Sequence, residues 1–149
     1  MRRFTLVMVV TLGFFVVARG GAGDGAKKEL QSFEGTWVLI STERDGKTES
    51  AGKGTKLTFM GTKFSLSQES SATLGLKGTY SFDSAKKPKT KDIKVTEGPD
   101  KGKTFLAIYE LSGDDYKICI APADKERPKD FTSTPGSGNR LQTWKREKK

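Results

Sequence analysis

The sequence predicts an all-β protein, an antiparallel up-and-down barrel of about eight strands. Three observations carry this. From Gly35 onward, apolar residues recur at every second position, the spacing of half-buried strands. The alternating segments are short, and hairpin-length connections such as Asp45-Gly46 and Gly61-Thr62 join them. Acceptable helical periodicity is confined to a few residues before Gly35. Successive hairpins make neighbouring strands antiparallel. Closing the sheet removes its edges and buries one face of every strand. A two-sheet sandwich is the alternative, because alternation alone does not separate the two.

The chain divides into residues 1–23, 24–34 and 35–149. Arg2 and Arg3 precede an apolar run of fourteen residues, Phe4 to Val17, and small residues follow from Ala18 to Gly23. That order is the pattern of a cleaved signal peptide. A helix of that length spans roughly 21 Å, short of the roughly 30 Å of a bilayer core. The segment therefore predicts export, to a secreted or periplasmic location, with membrane contact only before cleavage. Residues 24–34 are a polar lead-in, in which Leu30 and Phe33 are spaced for one helical turn that closes one end of a larger structure.

Gly35 to Thr42 is rich in strand formers, and Asp45-Gly46 suits a type I′ turn. Lys56 to Met60 and Lys63 to Ser67 alternate on either side of Gly61-Thr62, a turn with glycine first. Leu74, Leu76, Gly78, Tyr80 and Phe82 share one parity, and Gly78 in their midst signals a bend or bulge. Asp83 to Lys91 reads as a polar, lysine-rich connection, and Ile93 and Val95 mark the next strand. Gly98 to Gly102 is a turn cluster. Thr104 to Leu111 is apolar on both parities, and Tyr116, Ile118 and Ile120 form the following inward set. Pro122 to Gly138 is irregular, and Leu141 to Lys145 is the closing strand.

Composition limits the chemistry. The chain has 27 Lys and Arg against 18 Asp and Glu, a net charge of +9. Without residues 1–23 it is +6, a balance that suits polyanionic neighbours or simply a well-solvated surface. Cys119 is the single cysteine, so the domain has no internal disulfide. Its apolar neighbours predict a buried, inert thiol, intermolecular pairing being the alternative. There is no histidine, which removes the commonest general base, the commonest zinc ligand and every Ser-His-Asp arrangement.

Gly35-x-Trp37 at the start of the first strand resembles the opening motif of the lipocalins. In that superfamily a basic side chain of the last strand covers the tryptophan, and Arg140, Lys145 and Arg146 are the candidates here. A wider succession spans nearly all of the chain after residue 34. It includes Arg44-Asp-Gly-Lys, Gly78-Thr-Tyr, Lys87-Pro-Lys, Glu97-Gly-Pro, Lys101-Gly-Lys-Thr, Ile108-Tyr-Glu-Leu, Glu126-Arg-Pro and Pro135-Gly-Ser-Gly. It resembles an uncharacterised family of secreted planctomycete domains usually read as lipocalin-like. The resemblance implies export and a β-barrel, and it brings no activity or catalytic residue.

The irregular segment holds the most distinctive text. Arg127 offers a forked contact to a carboxylate or phosphate, and Gly136-Ser137-Gly138 offers backbone N–H groups to an anion. The competing reading is a structural loop, with Arg127 paired to a local acid, Phe131 anchored in the core and Pro135-Gly136 in a turn. Lys86, Lys87, Lys89, Lys91 and Lys94 read as a solvated hairpin tip rather than a nucleic-acid surface, and export argues against nucleic acid. Paired acids at Asp114-Asp115 sit in a turn and suit no two-carboxylate hydrolase. Calcium-loop spacing is missing, and no metal or cofactor is expected.

These features favour a binding module over an enzyme. Its ligand is expected to be small and mostly apolar, held inside the barrel. Trp37, Leu39, Leu57, Phe59 and Phe64 are expected to line that interior. Leu66, Tyr80, Phe82, Ile118 and Ile120 complete the set. The alternative is a structural or interaction protein of the cell envelope, contacting an anionic component through its basic surface and the 122–138 loop.

Overall fold

The computed structural model describes residues 22–49, 54–69 and 71–149, without the side chains of 22 and 71–74. Residues 1–21 of the expected signal peptide (1–23) and the Leu74 side chain therefore lie outside the described residues, while its last two residues fall in the first turn of a helix. One helix, α1 (Ala22–Phe33), precedes nine strands: β1 (Gly35–Arg44), β2 (Lys47–Glu49), β3 (Thr55–Met60), β4 (Lys63–Gln68), β5 (Ser71–Asp83), β6 (Lys89–Glu97), β7 (Thr104–Ser112), β8 (Asp115–Ile120) and β9 (Arg140–Arg146). All pairings are antiparallel, and β1 pairs with both β3 and β9. Eight strands thus close into a barrel, and β2 adds a short hairpin extension to β1.

The turn chemistry fits the sheet. Asp45 and Gly46 both have positive φ, 52° and 72°, as a type I′ turn requires. Register slips between Lys77 and Gly78 on β5. A Cβ at Gly78 would strike the Lys94 carbonyl oxygen and lie 2.6 Å from the Phe64 ring, so only glycine lets these strands approach.

Helix α1 is longer than one turn. It runs for three, begins at Ala22 and ends at Phe33, and Gly35 follows with φ +109°. Gly23 and Gly25 are poor helix formers, so burial at the far end holds it. Phe33 is fully buried, with ring centroids 5.2–5.6 Å from those of Phe59, Tyr80, Phe82, Tyr109 and Tyr116. Leu30 packs against the same cluster. The helix therefore plugs one end of the barrel.

A clasp fixes that plug. The Trp37 indole N–H donates to the Phe33 carbonyl at 2.9 Å. The Arg146 guanidinium lies 4.2 Å from the Trp37 ring and donates to the carbonyls of Ser32 and Glu34. Arg146, of the three basic candidates, covers the tryptophan. It also pairs with Asp114 at 3.2 Å.

The segment after β8 wraps the outer face of the barrel, which explains why β7 is apolar on both faces. Ile108 and Cys119 point outward yet are 1% and 0% exposed. The Cys119 thiol donates to the Thr132 carbonyl at 3.4 Å. Phe131 is not in the core; it is half-buried on the outside, with Lys117 above its ring.

The largest correction concerns β6. The lysine-rich text does not form one solvated tip, because the strand begins at Lys89. Lys86, Lys87 and Lys94 are exposed, whereas Lys91 is 1% exposed and points into the barrel with Ile93 and Val95.

Candidate functional site

Inside the barrel, above the aromatic plug, lies a cavity of about 160 Å³. Alternation on β3, β4, β6 and β8 supplies its apolar walls: Leu57, Phe64, Leu66, Ile93, Ile118 and Ile120. Phe59, Tyr80, Lys91, Tyr116 and Trp144 form its floor, toward α1. Asp100, Pro122, Gly138 and Arg140 surround the opposite end.

Three polar groups converge on the floor. Lys91 Nζ donates to the Tyr116 hydroxyl at 3.1 Å. It also lies 3.7 Å from the ring centroid of Phe33, 4.2 Å from Tyr80 and 4.3 Å from Phe59. Burial pulls its pKa well below the ordinary 10.5, and the charge of Glu29 opposes that only in part. No carboxylate among the described residues forms an ion pair with it. Glu29 instead accepts from Lys89 Nζ and from the Tyr109 hydroxyl, each at 2.9 Å. Desolvating an ammonium costs several kcal/mol, and the ring faces return only part of that. Relative to a solvated lysine, the balance is shifted toward the neutral amine.

Tyr116 is equally enclosed, and burial, followed by the charges of Tyr109 and Tyr80, pushes its pKa well above 10.0. Beside it on β9 is Trp144, 2% exposed. Its indole N–H is buried and has no hydrogen-bond partner among the described residues. An indole N–H is a donor only, and leaving it unmatched costs about 1–3 kcal/mol.

At the far end Arg140 keeps its charge. Burial and then Arg44 lower its pKa, while Asp100 and Glu49 act the other way.

Of the residues expected to line the interior, Leu57, Phe59, Phe64, Leu66, Tyr80, Ile118 and Ile120 meet at this cavity. Trp37, Leu39 and Phe82 belong to the packed core instead. Arg127 lies outside the barrel. It donates to the carbonyls of Lys91 and Ala107 and pairs with Asp92 at 2.6 Å, an acid on another strand rather than a local one. The Gly136 N–H donates to Asp45 and the Ser137 N–H to the Thr134 carbonyl, while Gly138 borders the cavity. These groups tie the loop to the barrel.

Lys91, Ile93 and Trp144 are among the lining residues outside the expected set. The signal for Lys91 was its parity with Ile93 and Val95, hidden among neighbouring lysines. That for Trp144 was its parity with Gln142, which also borders the cavity. Among the described residues no cluster of His, Cys, Asp or Glu could hold a metal ion.

No family model matches the chain, and no curated protein matches it.

Proposed function

We propose that this domain is an exported, lipocalin-like binding module that holds a small, mostly apolar ligand inside its barrel. The observation that carries this reading is the cavity itself, with its apolar walls. A solidly packed interior would leave no such space. An apolar cavity of about 150 Å³ takes up benzene, so a guest of that scale fits these walls. The N-terminal segment supports export, and the lipocalin-like opening motif agrees with the Arg146 cover over Trp37.

Benzyl alcohol is a suitable probe, since its ring matches the apolar walls. Titration should give a saturable change in tryptophan fluorescence and a melting temperature that rises with probe concentration. Ile93→Phe, which fills the cavity, should abolish both while keeping the far-ultraviolet circular dichroism of the barrel. If the wild-type protein shows neither saturation nor stabilisation, the reading fails.

A further inference from the structure

A buried lysine without a carboxylate partner requires a physical explanation. Lys91 could have been an aliphatic residue at no cost to the plug, since burying an unpaired amine is unfavourable. It stands at the floor of the cavity, its backbone carbonyl held from outside by Arg127 at 3.0 Å. Three of the rings around Nζ, those of Phe59, Tyr80 and Tyr116, also border the cavity. The titratable groups around it are Glu29 from α1, Lys89 on its own strand, Tyr80 and Tyr109, which turn their rings to Nζ from β5 and β7, and Tyr116 of β8, which meets it through its hydroxyl. Glu29 is engaged by Lys89 and Tyr109, and Tyr80 donates to the Gly61 carbonyl. Tyr116 alone among these contacts Nζ by a hydrogen bond.

We infer that Lys91 captures a small apolar aldehyde as an imine at the floor of the cavity, with Tyr116 shuttling the proton. This rests on the reading of the barrel as a binding module and names the reactive group of its ligand. The lone pair of Nζ attacks the carbonyl carbon, and the carbonyl π electrons move to oxygen. That oxygen takes the Tyr116 proton, and Tyr116 recovers one from the nitrogen. The resulting carbinolamine loses its hydroxyl, protonated, as water, while the nitrogen lone pair forms the C=N bond and its remaining proton departs. One aldehyde and one amine give one imine and one water, with no change of oxidation state. The uncharged, desolvated amine is the nucleophilic form of lysine, and the apolar walls keep bulk water from the imine.

The test is reductive trapping of the folded protein with benzaldehyde and cyanoborohydride at about pH 6.5, where solvated lysines are protonated. Peptide mapping should find one addition, the mass of the aldehyde less one oxygen atom, on Lys91. Lys91→Met should lose that addition, and Tyr116→Phe should slow it by at least tenfold without moving it to another lysine. Label spread over surface lysines, or none on Lys91, would overturn the inference and leave Lys91 as a structural amine. Benzyl alcohol binding, measured in parallel, separates the two failures. If the alcohol binds and the aldehyde is not trapped, only the covalent step is lost; if neither binds, the binding reading is lost with it.

Discussion

Lys91 shows what one side chain does to the pH response of the whole domain. Its folded pKa lies below the unfolded value of 10.5, so the unfolded chain binds more protons between those two values. Over that window stability rises with pH. Tyr80, Tyr109 and Tyr116 act in the opposite sense, because burial raises their pKa values above the ordinary 10.0. Their contribution is present below 10.0 and is lost as pH climbs beyond it. The urea midpoint should therefore rise as pH climbs through the window below 10.5 and fall at more alkaline pH. In Lys91→Met the rise should vanish and the fall remain. A flat profile in the wild-type protein would mean that Lys91 keeps its proton when folded. Single-residue chemistry of this kind was half-legible in the sequence. Parity with Ile93 and Val95 placed Lys91 inward, but four other lysines between residues 86 and 94 made the whole stretch read as solvated.

Strands were legible because each buries one face, and alternation records that burial directly. Asp45-Gly46 and the bulge at Gly78 were legible for a related reason, since backbone geometry there admits few residues. Two elements were not, or only in part. The residues of β2 are all exposed, so no alternation marks them. Of helix α1 the closing turn with Leu30 and Phe33 was legible but its full length was not, since these are the apolar residues on its buried side and two glycines lie near its start. Its length comes from what it covers rather than from its own propensity. Phe33 is the anchor of that contact, touching five other rings. Phe33→Ala should cost about 3–5 kcal/mol in chemical denaturation. A loss below about 1 kcal/mol would show that the rings beneath collapse to fill the gap. Wherever the plug is loosened, Lys91 gains water and its pKa should move back toward 10.5.

At the scale of the whole molecule, the barrel has a filled end, a hollow middle and an outer wrap. The wrap covers the outer faces of β7 and β8 and shields Cys119, whose thiol pKa is raised chiefly by burial. Arg127 is its main polar fastening, with three bonds to β6 and β7. Hydrogen bonds to a charged group are worth about 1.5–3 kcal/mol each. Arg127→Ala should therefore open the wrap and speed labelling of Cys119 by a disulfide reagent about ten- to a hundredfold. An unchanged labelling rate would assign the fastening to Ser133, which is buried between Glu43 and Gly46. Within the wrap, the Gly136 N–H donates to Asp45 and the Ser137 N–H to the Thr134 carbonyl.

The Arg146 clasp has a temporal consequence. It joins Ser32 and Glu34 to a residue 114 and 112 positions further along the chain, and β1 cannot meet β9 until that residue exists. During synthesis the helix must wait with Phe33 uncovered while every intervening hairpin emerges. Topologies dominated by such distant pairings gather slowly, and a nascent chain held in that state leaves its greasy faces open to water for as long as the circle stays open.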